Sequence, residues 1–394
     1  MNPSSSREPT RSEGRPFGGA FAGKRVLVTG HTGFKGSWLC EWLLHLDAEV
    51  VGLALPPETK PALFDQLRLG ERTQTVLGDI RNADGVQRLV AETRPDFVFH
   101  LAAQPLVRRS YREPILTWQS NVMGTLHVME ALRKLKNPCA AVMVTSDKCY
   151  ENREWHYGYR EGDSLGGFDP YSSSKAAAEL AVAAWKRSFL NNHPVRVASA
   201  RAGNVIGGGD WSEDRIIPDC ARAWLSNRPV KVRNPNATRP WQHVLEPLSG
   251  YLALAAALAA PHASAELMGP FNFGPSHDGN RSVRQLIEEA LRHVPAEWED
   301  ASDPNAPHEA HLLQLSTDKA ATLLHWRPAW TFQEAVQETV KWYFDVGHSN
   351  DPDAAGRRMR DQIQTYTASA LSLGVRWALP TEPDSTRKTD RSPE

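Results

Sequence analysis

Apolar and polar positions along the chain form short blocks that follow two different periods. Runs of consecutive apolar, often β-branched residues predict buried strands, and an apolar residue at every third or fourth position predicts a helix. The predicted strands are Arg25–Thr29, Glu49–Leu55, Thr75–Leu77, Asp96–His100, Ala140–Thr145 and Val195–Ala200. The predicted helices between them are Ser37–Leu46, Val86–Thr93, Asn121–Leu135 and Tyr171–Leu190. This alternation predicts an α/β fold with a doubly wound parallel sheet, whose ligands bind beyond the carboxyl ends of the strands.

The second half of the chain is less regular and predicts a smaller C-terminal α/β lobe. Its predicted elements are the helices Ile217–Leu225, Leu245–Leu258, Ser282–Val294, Thr317–Leu324 and Phe332–Phe344 and the strand Phe271–Phe273. Both chain ends are rich in Ser, Arg, Glu and Pro, a composition that predicts disorder. We expect a disordered leader over 1–20, a first domain over 21–201 that also receives 244–275, a second lobe over 202–375, and a polar tail over 376–394.

Charge and cysteine usage narrow the class of protein. The chain has 45 Lys+Arg against 46 Asp+Glu, and this balance argues against non-specific binding of nucleic acid. It has no run of about 18 apolar residues, so we expect no membrane-spanning helix. The four cysteines are scattered without a C-x-x-C pair, which predicts a reducing, cytoplasmic location and no zinc site. His308 and His311 are interpreted as surface polar residues, and no metal is expected.

A glycine-rich loop follows the first predicted strand. Gly30, Gly33 and Gly36 have the spacing G-x-x-G-x-x-G and lead into a helix, a context that favours a dinucleotide site over a simple turn. Glycines let a pyrophosphate approach the backbone at the start of the helix. Neither an acid nor an arginine directly follows the second strand, which ends at Leu55, so the residues alone leave NAD and NADP open. Asp79, after the third strand, offers a polar group at the adenine end.

Two further groups of residues carry candidate chemistry. Tyr171 and Lys175 are one helical turn apart and share a helix face, so the ammonium would favour the phenolate. Ser146, Asp147 and Lys148 follow a predicted strand, at the edge where ligands bind. Each group alone could be an ordinary helix start or a polar turn. Together with the glycine loop, they predict an acid–base site for hydride transfer from a sugar carbon.

Seven motifs in order resemble the extended short-chain dehydrogenase/reductases, which are nucleotide-sugar enzymes with a Rossmann domain. The motifs are TGHTGFKG, GDIR, HLAAQ, NVMGT, VTSDKCY, YSSSK and RAGNVIGGGDW. The resemblance covers roughly residues 23–370 and implies a Rossmann-type first domain that binds NAD. The cofactor-binding residues it implies are Gly30, Thr32, Gly33, Phe34, Lys35, Gly36, Asp79, Ile80, Leu101, Ala102, Ala103, Gln104, Thr145, Tyr171 and Lys175.

The resemblance also implies a reaction, in which a sugar is oxidised at C4, loses water across C5 and C6, and is reduced at C6. Tyr171 would accept the 4-hydroxyl proton, Lys175 would hold Tyr171 near the phenolate form, and Ser146 would bind the 4-oxygen. Lys148 would remove the C5 proton as a neutral amine, and Asp147 would protonate the departing 6-hydroxyl. The related dehydratases of deoxythymidine sugars have Glu at the position of Lys148. The dehydratases of cytidine sugars resemble this chain in having Lys there.

The resemblance places four residues on the nucleotide-sugar side, namely Asn204, Arg215, Arg239 and His243. Each of them has the alternative of a structural hydrogen bond or a surface charge. A homodimer or a dimer of dimers is implied, with contact through the helices Asn121–Leu135 and Tyr171–Leu190. Three kinds of function stay open on the residues. They are a 4,6-dehydratase acting on a cytidine, deoxythymidine or guanosine diphosphate hexose, an epimerase or simple dehydrogenase of the same fold, and a non-catalytic nucleotide-sensing or interaction protein.

Overall fold

The computed structural model describes residues 14–276, 279–302 and 313–380. Its strands are β1 Arg25–Thr29, β2 Glu49–Ala54, β3 Gln74–Leu77, β4 Phe97–His100, β5 Cys139–Val144, β6 Val195–Ala202, β7 Val205–Ile206, β8 Val230–Val232, β9 Thr238–Pro240, β10 Gln242–His243, β11 Pro270–Phe273, β12 Asn280–Ser282 and β13 Trp298–Asp300. Seven of these strands form one parallel sheet in the order β11-β6-β5-β4-β1-β2-β3. The predicted α/β class and doubly wound sheet are confirmed.

The helices cover both faces of this sheet. They are α1 Phe34–His45, α2 Leu63–Gln66, α3 Leu69–Arg72, α4 Ala83–Thr93, α5 Val107–Arg112, α6 Pro114–Trp118, α7 Gly124–Arg133, α8 Pro170–Phe189, α9 Ile216–Trp224, α10 Leu245–Ala259, α11 Val283–Ala290, α12 Asp318–Leu324, α13 Phe332–Gly347 and α14 Ala354–Ser372.

Alternate residues of the central strands feed two separate cores. Val26 and Val28 of β1 pack on the face that carries α1 and α10, whereas Leu27 packs on the face that carries α4, α7 and α8. Both faces are buried, so the strands need continuous apolar runs, which is the pattern that predicted them. The side chains of the two cores lock the register of the sheet.

The register brings the strand ends to one edge. Thr29 at the end of β1 is level with Leu53 of β2 and His100 of β4. His100 is in turn level with Met143 of β5. The loops that follow these strands therefore meet above the same edge, and that edge carries the candidate site.

The chain returns to the sheet after entering the second lobe. α10 packs on β5 and β6, and β11 extends the sheet beside β6, where Phe271 is level with Ala200. Three pairs of short strands, β7 with β10, β8 with β13 and β9 with β12, form the rest of the lobe.

The leader predicted over 1–20 is wrong for its last residues, because Pro16–Gly19 form a turn that buries Phe17. The tail predicted over 376–394 is likewise wrong at its start, where Trp377 is buried and its ring stacks on Phe17 with centroids 4.8 Å apart. These aromatic side chains bury more apolar surface than the surrounding polar composition suggested. Residues 1–13 of the leader and 381–394 of the tail, and also His308 and His311, lie outside the described residues.

The helices of the described residues were predicted not to span a membrane. None of those helices is both long enough and apolar enough to do so. Within the same ranges, no group of three or more His, Cys, Asp or Glu side chains is placed to hold a metal ion.

Candidate active site

A cleft of about 2050 Å³ opens above the carboxyl edge of the sheet, between the sheet and the second lobe. Pockets for single drug-sized ligands have volumes of roughly 300–1,000 Å³, so this cleft has room for a dinucleotide and a second nucleotide together. Every site residue predicted from the sequence lines this cleft except His243.

The glycine loop is shaped as an anion cradle. Gly30 has a φ of +76°, and a Cβ on it would lie 2.7 Å from the Ala102 backbone nitrogen. A Cβ on Gly36 would lie 2.1 Å from the Gly30 carbonyl oxygen, so neither position accepts a side chain without a backbone shift. Gly33 caps α1 and is exposed, so the first amides of the helix are accessible from the cleft. These features fit the pyrophosphate of a dinucleotide.

At the adenosine end of the cleft, the polar side chains already have partners within the chain. Thr32 donates to the Leu55 carbonyl oxygen at 2.9 Å. Asp79 accepts from the Arg81 backbone nitrogen and side chain, each at 2.8 Å, and these bonds lower the pKa of Asp79. The carboxyl group that commonly binds an adenosine ribose after the second strand is absent here, since Leu55 occupies that position.

The loop after β5 presents Ser146, Asp147 and Lys148 to the cleft. Ser146 caps a 3-10 turn at Asp147–Cys149, and its hydroxyl accepts from the Lys148 backbone nitrogen at 3.2 Å. The same hydroxyl donates to Asp147 Oδ1 at 3.0 Å. Lys148 Nζ lies 3.8 Å from that same oxygen. The short turn therefore gathers a hydroxyl, a carboxyl and an amine at one point.

The two oxygens of Asp147 differ in their surroundings. Oδ1 faces Ser146 and Lys148, whereas Oδ2 is buried without a hydrogen-bond partner. Oδ2 faces Gly203, where an added Cβ would lie only 2.9 Å from it. A buried oxygen without a partner is costly, so Oδ2 is an unsatisfied acceptor within the site.

Tyr171 and Lys175 are held by the first turns of α8. Pro170 occupies the first turn, and Asp169 accepts from the Tyr171 and Ser172 backbone nitrogens at 2.9 and 3.0 Å. Both Tyr171 and Lys175 are buried, at 8% and 6% exposure. Burial lowers the pKa of Lys175 to about 8.

The expectation that the chain itself holds Tyr171 near the phenolate form is wrong. Burial raises the pKa of Tyr171 to about 12, and the hydrogen bond with Ser146 offsets only part of this effect. Asp147 adds to the increase, because a neighbouring carboxylate disfavours a phenolate. The tyrosine is therefore a phenol in the ligand-free site.

Lys35, predicted to lie at the cofactor phosphates, points towards α10. Its amine donates to the Tyr251 hydroxyl at 3.4 Å. Burial, together with the nearby charges of Arg215 and Lys175, lowers the pKa of Lys35 to about 7, with Asp147 opposing. The sequence could not show this direction, because Tyr251 is about 215 positions away in the chain.

The residues predicted for the nucleotide-sugar side separate into two groups. Asn204, Arg215 and Arg239 line the cleft, and Arg215 forms a 2.8 Å ion pair with Asp210. His243 is wrong as a binding residue. It is fully buried between the rings of Trp38 and Trp330, and burial lowers its pKa to about 3.

A buried ion pair behind the site was missed by the sequence reasoning. Glu179 lies one turn beyond Lys175 on α8 and accepts from Arg201 at 2.8 Å, Ser199 at 2.8 Å and Thr145 at 2.5 Å. Thr145, predicted to bind the cofactor, uses its hydroxyl in this bond. Helical spacing could have indicated Glu179, because residues four and eight positions after Tyr171 lie on the same helix face as Tyr171.

The fold and the cleft define a Rossmann-type nucleotide-binding protein with a substrate lobe. The chain belongs to the GDP-mannose 4,6 dehydratase family, whose model matches residues 27–339. The family relationship expected from the sequence motifs is thus confirmed.

Individual relatives narrow this assignment. The chain is 48% identical to the CDP-glucose 4,6-dehydratase of Salmonella typhimurium over 331 residues, covering 82% of this chain and 90% of that protein. It is 29% identical to the dTDP-glucose 4,6-dehydratase of Streptomyces antibioticus, covering 81% and 92%. The solved structure of Thermus thermophilus UDP-glucose 4-epimerase in complex with NAD matches with a TM-score of 0.69 and 26% identity, covering 81% and 99%.

Proposed function

We propose that this protein is a hydro-lyase that converts CDP-glucose to CDP-4-keto-6-deoxyglucose and water. The observation that carries this proposal is the Asp147–Lys148 pair, 3.8 Å apart, in the same cleft as Tyr171. Dehydration needs an acid for the leaving hydroxyl and a base for the C5 proton, in addition to the base that serves oxidation. The 48% identity to a CDP-glucose 4,6-dehydratase supports the choice of nucleotide and sugar.

The cofactor in this proposal is NAD, and the glycine cradle fits its pyrophosphate. Bound NAD would supply the hydride chemistry, accepting a hydride from C4 of the sugar and giving it back to C6. The NAD in the Thermus thermophilus epimerase supports this choice. The backbone at Gly30, Gly33 and Gly36 would hold the pyrophosphate of NAD. Lys175, one helical turn from Tyr171, would contact the NAD ribose that lies nearest the sugar.

The residues of the chain then move the protons. Tyr171 receives the proton of the 4-hydroxyl, and Ser146 hydrogen-bonds the 4-oxygen. The C4 ketone makes the C5 hydrogen acidic, and Lys148 removes it and later returns a proton to C5. Asp147 protonates the 6-hydroxyl, which leaves as water. Oδ2 of Asp147 has no hydrogen-bond partner within the described residues, which supports a role for this carboxyl towards the substrate.

Arg215, Arg239 and Asn204 bind the diphosphate and the sugar in this proposal. Guanidinium groups suit a diphosphate because they offer paired donors in a plane. The Arg215–Asp210 ion pair fixes the position of the Arg215 guanidinium in the lining of the cleft. A small anionic substrate also agrees with a chain whose charges balance overall.

Incubation with NAD and, in turn, the CDP, dTDP, GDP and UDP forms of glucose tests the proposal. Mass spectrometry should show a product lighter by one water, formed fastest from the CDP sugar. Faster dehydration of another sugar would reassign the nucleotide. An unchanged mass with a changed sugar configuration would make the protein an epimerase, and binding without conversion would make it a sensor.

We also propose that the protein is a homodimer. Large apolar side chains are exposed on α6, just before α7 and on α8, namely Ile115, Met123 and Leu180 at 70%, 46% and 58% exposure. Exposed apolar side chains on neighbouring helices favour an interface with a second copy. Light scattering should give a molar mass in solution of twice that of one chain. The Leu180→Arg variant should lower this mass towards that of a single chain. A single-chain mass for the unaltered protein would refute the dimer.

We place the enzyme in the cytoplasm. Its four cysteines are all free thiols and all buried, as suits a reducing compartment. Fractionation of source cells, with immunodetection of the protein in the cytosolic fraction, tests this location, and recovery with secreted or membrane material would contradict it.

A further inference from the structure

One ion pair joins the two chain segments on either side of the glycine loop. Strand β1 lies between β4 and β2 in the sheet, so the glycine loop after β1 lies between the segments that follow those two strands. Arg109 belongs to α5, which follows β4, and Glu58 belongs to the loop that follows β2. Arg109 Nη1 donates to both carboxylate oxygens of Glu58, at 3.1 and 3.3 Å. We call this ion pair the clasp.

The clasp crosses the cleft beyond the glycine loop. Glu58, Arg109 and the three glycines of the loop all line the same cleft. A dinucleotide whose pyrophosphate lies on the glycine loop is therefore enclosed between the sheet and the two joined segments. Entry or exit over this part of the cleft requires the ion pair to open. This inference rests on NAD as the cofactor, which is part of the proposed function.

The α5 side of the clasp is held in place. Arg109 also pairs with Glu113, four residues further on, at 3.0 Å, and this second ion pair orients the guanidinium. Ser110 is fully buried and accepts from the Tyr171 backbone nitrogen at 3.2 Å, so α5 is anchored on the start of α8. The Arg109 guanidinium therefore keeps its position when Glu58 leaves it.

The Glu58 side is the part that can move. Residues 56–61 make no other hydrogen bond within the described part of the chain, and none of these six residues is buried. The loop is attached at its ends, where Thr32 donates to the Leu55 carbonyl oxygen and where Leu63 is buried. So few contacts are typical of segments that open locally without unfolding the rest of a protein.

We propose that the clasp controls exchange of the cofactor, and that Glu58 moves away from Arg109 each time the dinucleotide enters or leaves. The ion pair is closed in the free and in the loaded site, and it is broken only while the dinucleotide passes. It therefore slows association and dissociation by the same factor and leaves Kd unchanged. Because the proposed reaction returns its hydride to the sugar, the clasp can stay closed over many turnovers.

Binding of NADH measures the clasp directly. Its fluorescence reports association, and an excess of NAD displaces it to give dissociation. The side-chain exposures of Arg109 and Glu58 are 27% and 60%, and at such exposure one ion pair changes a rate by up to about fivefold. We expect Glu58→Gln and Arg109→Gln each to raise both rates by about two- to fivefold. The double variant should be no faster than either single variant, because each of these already breaks the same bond.

The two single variants separate the clasp from simple charge effects. NADH is an anion, so charge alone would make it associate faster with Glu58→Gln and more slowly with Arg109→Gln. Such opposite effects would overturn the proposal. Faster dissociation at an unchanged association rate would also overturn it, because a residue that merely contacts the ligand behaves in this way. Unchanged rates in both variants would overturn it as well.

Glu213→Gln is the matched control. Glu213 pairs with Arg112 of the same helix and has the same 60% side-chain exposure as Glu58, but it lies outside the lining of the cleft. We expect unaltered rates for this variant. Rates raised as much as in Glu58→Gln would show that loosening α5 is sufficient, and that would overturn the clasp. If the unaltered protein bound neither NADH nor NAD, the proposed cofactor itself would be refuted, and the clasp with it.

Discussion

Glu179 and Arg201 form an ion pair of 2.8 Å that is almost closed to solvent, with side-chain exposures of 4% and 3%. The same carboxylate binds Thr145, so the pair links the loop that carries Ser146 to the helix that carries Lys175. Removing one partner of a buried pair leaves the other charged and unsolvated, which costs roughly 3–5 kcal/mol.

We expect Arg201→Met and Glu179→Leu each to lower the free energy of unfolding by roughly 3–5 kcal/mol, because each variant leaves one buried charge without its partner. The double variant should recover part of the loss. Urea denaturation of the four proteins measures this coupling. Additive losses in the double variant would show that the pair does not act as a unit.

Lys148→Met should bind the nucleotide sugar and NAD but fail to release water, because the C5 proton has no base. We expect product formation to fall by roughly 10²–10⁴-fold. Mass spectrometry of the product detects the missing water. Lys134→Met is the control, since Lys134 is exposed at the end of α7 and lies outside the cleft. Substantial dehydration by Lys148→Met would exclude the base role.

Tyr171→Phe should keep the fold and lose oxidation at C4, because the phenyl ring fills the same space without a hydroxyl to carry the proton. A fall in kcat of roughly 10²–10⁴-fold is expected. Tyr157→Phe serves as the comparison, with a tyrosine at 61% exposure outside the cleft. Equal activity of the two variants would contradict the role of Tyr171.

Gly36→Ala should weaken cofactor binding by at least about tenfold, or 1.4 kcal/mol, because its Cβ would lie 2.1 Å from the Gly30 carbonyl oxygen. Gly162→Ala is the matched control, since a Cβ there meets nothing within 4 Å. Calorimetric titration with NAD measures both variants. An unchanged Kd for Gly36→Ala would show that the loop tolerates a side chain and is no cradle.

Glu246 makes stability depend on pH. It accepts from the Ala329 and Trp330 backbone nitrogens, and burial raises its pKa to about 7 from 4.5. The folded state then keeps a proton that the unfolded chain loses. Stability is therefore complete below pH 4.5 and falls as pH rises to 7, by roughly 3 kcal/mol.

We expect Glu246→Gln to remove this fall, so that its stability relative to the unaltered protein increases between pH 4.5 and 7. Denaturation at several pH values measures the difference. Glu288→Gln, at an exposed position on α11, should show no such trend. Parallel pH profiles for the unaltered protein and Glu246→Gln would contradict the burial of a protonated carboxyl.

The sheet and its loops could be predicted because local patterns determine them. Nearly continuous apolar runs such as Val26–Val28 and Cys139–Val144 are typical of strands that are buried on both faces, and glycine spacing marks the loop between β1 and α1. Tyr171 and Lys175 lie on one helix face by their spacing alone. These parts of the site depend on neighbours in sequence.

The parts that could not be predicted depend on distant contacts. α14 was missed because its polar composition hides a narrow apolar stripe, and its Tyr366 reaches Glu246 across the fold. His243 looked like a binding residue, yet Trp38 and Trp330 enclose it. Tyr171 was expected near the phenolate form because Lys175 lies one turn away. The burial that raises the pKa of Tyr171 depends on tertiary packing, which no sequence pattern shows.

The stacked rings of Phe17 and Trp377, with Trp42 edge-on to both at 5.8 Å, bring two distant parts of the chain side by side. They lie near the start of β1, the edge of the sheet opposite the cleft. A short linker could join these segments, and new ends could be opened in the exposed turn before α14. Such a circular permutant would keep its catalytic edge untouched and would free that turn for attachment to a surface or a second enzyme.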